Sequence, residues 1–136
     1  IGIVSYSAFV KNARDAKRQS DLKIIQSALE EYHADQKYYP GSINFSLPLT
    51  NATGSSPAPA VTRTYLNSVP IGLTGSSEYQ YKAYKTDSSV CNDSDNASGS
   101  TSKCVKYCLY AKTENLAEML DLCPNQSGFT LEVTSP

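Results

Sequence analysis

The stretch Asp21-Leu-Lys-Ile-Ile-Gln-Ser-Ala-Leu-Glu-Glu-Tyr32 decides the fold of this chain. Within it, apolar residues recur every three or four positions, which places them along one face of an α-helix. The residues of this stripe are Leu22, Ile25, Leu29 and Tyr32, joined by Ile24 and Ala28. Because a helix with one apolar stripe buries that side, the stretch predicts a helix packed on the rest of the chain.

The helical pattern extends well beyond the stripe in both directions. No Pro or Gly interrupts the chain between Lys11 and Asp35, and Pro40 is expected to end the helix. We therefore predict two parts, a long helix over residues 1–39 and a globular head over residues 40–136. A helix of about 36 residues is roughly 54 Å long, whereas a domain of this size has a radius of gyration near ~14 Å. Part of the helix must therefore protrude from the head.

The first ten residues form an uncharged tip on the helix. Its larger apolar side chains are Ile1, Ile3, Val4, Phe9 and Val10. Ten residues are too few to cross a hydrocarbon layer of about 30 Å. The tip is either the end of a longer membrane segment, or a buried helix end or a remnant of cloning. Because the chain begins with Ile rather than Met, we expect that a preceding segment has been removed.

A charged waist lies between the tip and the apolar stripe. Its charged residues are Arg14, Asp15, Lys17, Arg18, Asp21 and Lys23. Asp15 and Arg18 are at pairing distance on a helix surface. The same holds for Lys17 and Asp21. We expect the waist to be a solvated surface with weak ion pairs, so that only the amphipathic foot, the part with the stripe, lies on the head.

Three segments of the head alternate between apolar and polar residues, which is typical of half-buried antiparallel strands. They cover residues 79–84, 105–112 and 129–134. Their odd-numbered residues form the apolar faces, and we expect Tyr81, Tyr107, Leu109 and Leu131 to pack against Leu22, Ile25, Leu29 and Tyr32. The prediction is an α+β fold, in which the long N-terminal helix packs on a small sheet of three to four antiparallel strands.

All four cysteines lie in the last third of the sequence, at Cys91, Cys104, Cys108 and Cys123. They lack the two closely spaced pairs of a structural zinc site, so we expect disulfides and a compartment outside the reducing cytosol. Four cysteines allow three pairings. We favour Cys91 with Cys104, which closes the hydrophilic loop between the first two predicted strands, and Cys108 with Cys123.

The residue types do not suggest catalysis, and we expect neither an enzyme nor a bound cofactor. His33 is the only histidine and lies beside the helix stripe, so a Ser–His or Cys–His pair would have to form there. Asp93 and Asp95 lie in an oxygen-rich loop, but the loop lacks the Gly and the distal Glu of a Ca2+ loop and is a weak candidate. A net charge of −1 gives no broad basic field for nucleic acid.

Several stretches of the sequence resemble one protein family. The helix over residues 13–32, followed by Lys37-Tyr-Tyr-Pro40, resembles the helix of bacterial type IV pilins and of the pseudopilins of type II secretion. Tyr65-Leu-Asn-Ser-Val-Pro70 is similar to the family's loop-closing element, and Tyr107-Cys-Leu-Tyr-Ala-Lys-Thr-Glu114 is similar to a central strand of pilins. The family's processing site and N-terminal acidic residue are not in this chain, and Val4 stands where many members have a Pro.

The resemblance implies a structural subunit of an extracellular pilus filament, used in adhesion, twitching motility or DNA uptake. The tip would hold the subunit in the membrane before assembly and would pack in a central helix bundle afterwards. The implied ligands are a host surface or DNA. Two alternatives remain open. One is a pseudopilin of a type II secretion system, and the other is a secreted binding module with a helical stalk.

Overall fold

The computed structural model describes residues 2–54, 59–97, 99–116, 123–124 and 128–136. Within these residues it contains one long helix, α1 (Gly2–Gln36), and six strands. The strands are β1 (Leu49–Thr50), β2 (Thr64–Leu66), β3 (Tyr79–Tyr84), β4 (Val90–Cys91), β5 (Lys106–Ala111) and β6 (Leu131–Thr134). Short 3-10 turns at Ser76–Glu78 and Asp93–Asn96 precede β3 and follow β4. The predicted α+β class is confirmed.

α1 ends three residues before the predicted boundary. Lys37, which directly follows the helix, has a left-handed backbone with a φ of 70°, a conformation common just beyond helix ends. The residue before a proline is disfavoured in the helical region, so Tyr39 could not carry the helix into Pro40. The backbone N–H of Tyr39 instead donates to the carbonyl of Cys104 at 2.9 Å. This bond ties the end of the helix to the head.

The main sheet has four antiparallel strands in the order β4-β3-β5-β6. The three predicted strands are β3, β5 and β6, and the short β4 adds an edge strand that the sequence pattern does not reveal. β1 and β2 pair in a separate two-stranded sheet. Tyr79 lies opposite Ala111, and Tyr81 lies opposite Leu109. The odd-numbered residues of the two central strands therefore share one face.

The predicted contact between the helix stripe and this face is confirmed. One buried cluster contains Leu22, Ile25, Leu29, Tyr32, Tyr107, Leu109 and Leu131, and Tyr81 packs against it. Ile24 is an exception, because its side chain is 44% exposed. One residue step turns an α-helix by about 100°, which carries Ile24 away from the face that Ile25 occupies.

The outer face of β5 is buried as well, so the expectation of half-buried strands is wrong for this strand. Tyr110 is 0% exposed and Cys108 is 4% exposed, in a second apolar cluster with Cys123 and Phe129. The Cys108–Cys123 disulfide holds the returning chain against this face. The hydroxyl of Tyr110 also donates to the carbonyl of Pro124 at 2.8 Å. Alternation along one strand could not show this second layer, because the cover comes from a distant part of the sequence.

The structure pairs Cys91 with Cys104 and Cys108 with Cys123, which is the pairing favoured from the sequence. All four cysteines are buried. The first disulfide closes the polar loop between β4 and β5, and the second fastens the chain that follows β5. The first bridge therefore fixes a segment that carries few apolar residues of its own.

Asn96 connects the first disulfide loop to the end of the helix. Its side chain is 3% exposed, donates to the carbonyl of Tyr39 at 2.8 Å and accepts the backbone N–H of Cys104 at 3.0 Å. Gly41 approaches the same loop so closely that a Cβ there would lie 2.3 Å from the carbonyl carbon of Asn92. The turn after the helix thus requires glycine, and it is held from two sides.

Candidate functional site

The face of α1 opposite the head is exposed from Tyr6 to Ala34. Since the helix turns about 100° per residue, nine positions of helix residues 5–36 fall within a strip about 80° wide. They are Tyr6, Phe9, Ala13, Ala16, Ser20, Ile24, Ser27, Glu31 and Ala34. All nine are exposed, and Glu31 is the one charged residue among these nine. We call this strip the back face of the helix.

The composition of the back face is unusual for a helix that packs on a globular head. Such a helix normally carries its charges on the face turned to solvent. Here the charges other than Glu31 lie on the flanks of the helix and on the side turned to the head. Ala13, Ala16 and Ser20 are small enough to let a second helix approach closely. The signal in the sequence that could have identified this face is the recurrence of small or aromatic residues at positions 6, 13, 20, 27 and 34.

The tip of the helix continues the back face. Tyr6 and Phe9 are 70% and 71% exposed, whereas Val10 is half-buried. Of the other predicted tip residues, Ile1 lies outside the described residues, and Ile3 and Val4 lie in α1 with side chains outside the description. In the part of the chain that the structure describes, no helix combines the length and the apolar composition needed to cross a membrane.

The helix waist is buried where it faces the head, so the expectation of a solvated surface is wrong on that side. Asp15 and Arg18 are each 4% exposed and Asp21 is 6% exposed. Both predicted ion pairs form, each with an N–O distance of 2.7 Å. The burial arises because two carboxylates of the head, Glu78 and Glu114, meet the helix here. The sequence offers no local signal that would place these two residues beside the helix.

Arg18 lies at the centre of this arrangement. Its guanidinium contacts the carboxylates of Asp15 at 2.7 Å and Glu114 at 2.8 Å, and it also donates to Glu78. Glu114 accepts two further bonds of 2.7 Å from the more exposed Arg14. We call Asp15, Arg18, Glu78 and Glu114 the waist cluster.

Backbone and hydroxyl donors complete the waist cluster. The carboxylate of Asp15 accepts three consecutive backbone N–H groups, from residues 114, 115 and 116, at 2.9, 2.7 and 3.0 Å. The carboxylate of Glu78 accepts the backbone N–H and the hydroxyl of Thr74 at 2.9 and 2.8 Å. Asp21 belongs to a separate group, in which it accepts from Lys17 and from the hydroxyl of Tyr79, both at 2.7 Å.

These contacts favour the ionised form of each carboxyl group in the cluster. Hydrogen bonds from Arg14 and Arg18 lower the pKa of Glu114 to about 2. Burial acts to raise the pKa of Asp15, but the backbone N–H groups outweigh it and leave the pKa lowered. Burial also acts to raise the pKa of Glu78, and the hydrogen bond from Arg18 helps to bring that pKa below its ordinary value.

We expect the protein to lose stability in acid through these groups. A carboxyl group with a lowered pKa in the folded state stabilises the fold above its unfolded pKa, and this contribution is lost as the pH falls through the folded pKa. For Glu114, this stabilisation is lost as the pH falls from 4.5 to about 2. Glu114→Gln should lower the Tm at neutral pH, and the difference from wild type should shrink towards the lower end of this window. The difference in Tm is measured by circular dichroism melts at several pH values across this range. A difference that stays constant would contradict the assignment.

The carboxylates of Asp93 and Asp95 are used in hydrogen bonds of the protein itself. Asp93 accepts from the hydroxyl of Ser42 at 3.0 Å. Asp95 accepts the backbone N–H of Asn92 at 2.8 Å and pairs with Lys85 at 2.9 Å. Among the described residues, no group of three or more His, Cys, Asp or Glu side chains gathers in a metal-binding arrangement. The geometry therefore adds no support to the Ca2+ hypothesis.

The other candidate for chemistry, His33, has a packing contact. It is half-buried, and its ring stacks on Tyr39 with centroids 4.4 Å apart. Three surface cavities lined by described residues have volumes of about 120, 180 and 180 Å³. Pockets for small-molecule ligands usually hold roughly 300 Å³ or more. These features give an enzymatic role no support.

Comparison with known proteins finds no family model, curated protein or solved structure that matches this chain. The resemblance to pilins in the sequence is therefore a hypothesis. An inference about function has to rest on the geometry of the chain itself, above all on the back face of α1.

Proposed function

We propose that the protein is a structural subunit of an extracellular filament of the type IV pilus kind, in which the N-terminal helices of many copies pack together. The observation that carries this proposal is the back face of α1, which is exposed and nearly uncharged from Tyr6 to Ala34. Large exposed apolar patches usually mark interaction sites, and Tyr6, Phe9 and Ile24 give this face exposed apolar surface. The residues on the back face suit contact with other helices better than contact with solvent.

The position of the head supports the same proposal. The head covers one side of α1 through the cluster that contains Leu22 and Leu29, and the back face lies on the opposite side. Several copies could therefore bring their helices together around a common axis with every head outside. Contacts that join different surfaces of successive copies produce a filament when the rotation between copies does not close a ring.

The proposed location follows from the disulfides and the tip. Two disulfides fit a compartment outside the cytosol. Before assembly, we place the tip, with the exposed rings of Tyr6 and Phe9, in or at the edge of the cell membrane. After assembly, the same residues pack against neighbouring helices. The outward heads are the part that would meet a host surface or DNA.

The test is a charge placed on the back face. We expect Phe9→Asp to abolish surface filaments in cells that produce the full-length protein. In the filament, the buried carboxylate would lie without a partner among the apolar side chains of neighbouring helix tips. Electron microscopy of the cell surface measures filaments. Peptide mapping without reduction shows whether the head still forms both disulfides.

A matched control adds the same charge to the head. Thr101 is exposed in the first disulfide loop, and we expect Thr101→Asp to leave filament number unchanged. Loss of filaments in Phe9→Asp with an intact head, and normal filaments in Thr101→Asp, would support the proposal. Normal filaments in Phe9→Asp, or a full-length protein that stays monomeric and soluble, would refute it.

A further inference from the structure

The waist cluster differs in chemistry from the rest of the contact between helix and head. Of helix residues 5–21, three are buried, and all three are charged: Asp15, Arg18 and Asp21. From Leu22 onwards the buried helix residues are apolar or aromatic. The stripe that faces the head thus continues from Leu22 towards the N-terminus with the same spacing. In that part of the helix, ion pairs and hydrogen bonds replace the apolar contacts.

The waist cluster also reaches the ends of both central strands. Glu78 directly precedes β3, and Glu114 comes three residues after the end of β5. The backbone N–H of Lys112 donates to the carbonyl of Glu78 at 3.0 Å, which holds these two ends side by side. Arg18 bridges both carboxylates from the helix. The cluster therefore joins three elements at one end of the sheet.

Residues 114–116 depend on Asp15 in particular. Three backbone N–H groups in a row donate to one carboxylate. Glu114 and Asn115 are exposed, and Leu116 is partly buried against the main core. Few apolar contacts and a single shared acceptor are the features of a segment that opens locally.

We infer that the waist cluster is a reversible latch, which holds residues 114–116 on the helix and can open while the sheet and the apolar core remain folded. Opening costs little apolar burial, since Leu116 is the one residue of this segment packed on the main core and the other groups that separate are polar or charged. Opening also returns water to ions that lost much of their hydration on closing, which offsets part of the lost pairing energy, so opening costs less than global unfolding. Closing fixes one geometry between the helix and the two central strands. This inference does not depend on the proposed filament role.

The test measures amide hydrogen exchange by NMR in the whole chain. We expect Asp15→Ala to accelerate exchange of the amides of residues 114, 115 and 116 by on the order of 10- to 100-fold, as for the loss of hydrogen bonds to a charged group. The amides of β5 at Leu109 and Tyr110 exchange through global unfolding, so a change in their rates reports the loss of overall stability and not the opening of the latch. Asp21→Ala is the matched control, because Asp21 is a buried acid on the same helix face without a contact to this segment. It should leave the three amides unchanged.

A measurement on the wild-type protein covers the case in which Asp15→Ala does not fold. Exchange in graded low denaturant separates local opening from global unfolding, because a local opening exposes less surface and depends less on denaturant. We expect amides 114–116 to exchange through an opening with a smaller denaturant dependence than the amides of β5. Exchange of both groups through the same global event would overturn the inference. So would unchanged rates at residues 114–116 in a folded Asp15→Ala variant.

Discussion

Replacing Leu29 by Ala is expected to lower the free energy of unfolding by about 2–5 kcal/mol, the usual cost of truncating a buried leucine. Leu29 is 0% exposed in the middle of the helix stripe and belongs to the cluster with Tyr107, Leu109 and Leu131. The substitution removes apolar burial and leaves a cavity between two layers that are each fixed by their own hydrogen bonds. Chemical denaturation monitored by circular dichroism gives the value.

Ile24→Ala is the matched control for this result. Ile24 lies on the same helix, but its side chain is 44% exposed on the back face. Away from buried contacts, a surface substitution changes stability by only about ±0.5 kcal/mol. Equal losses for the two variants would show that the wrong face of the helix has been assigned to the core, and the two-layer architecture would then fail.

The second large effect is expected for Arg18→Met, which should destabilise the fold by about 3–5 kcal/mol. Methionine has a similar length and helix propensity, so the main change is the loss of the guanidinium. Its removal would leave the buried carboxylates of Asp15 and Glu78, and the neighbouring Glu114, without their shared cation. The cost arises from the charges that stay behind.

Arg14→Met separates this effect from the loss of any surface charge. The side chain of Arg14 is 38% exposed and pairs with Glu114, whose side chain is 30% exposed. Ion pairs in water contribute about 0–1 kcal/mol, so the expected loss is at most of that size. A loss in Arg18→Met as small as that in Arg14→Met would mean that water reaches the waist cluster.

Elements with a regular apolar period could be predicted from the sequence. The helix stripe from Leu22 to Tyr32 and the alternation in β3, β5 and β6 each repeat one simple spacing, and this spacing identifies both the element and its inner face. The pairing of Cys91 with Cys104 could be favoured because it closes one polar loop. In each case the signal lies within a short stretch of chain.

Features that depend on distant partners could not be predicted. Arg18 looked like one more surface charge, because Glu78 and Glu114 lie 60 and 96 residues away in the sequence. Tyr110 looked like a residue on a solvent-exposed face for the same reason. The back face of α1 is different. The spacing of its small residues is present in the sequence, but Ala and Ser contribute little to an apolar period.

The hydrogen bonds of Asn96 divide the first disulfide loop into two parts with different freedom to vary. Residues 92–96 are held against the end of the helix through Asn96 and the close approach of Gly41. Residues 99–102 are mostly exposed and make local bonds, such as that between the backbone N–H of Ser102 and the hydroxyl of Ser100. Exposed loop tips of this kind tolerate insertions. A foreign peptide displayed on this protein therefore belongs at residues 99–102, where the disulfide at the base would present it without disturbing the helix.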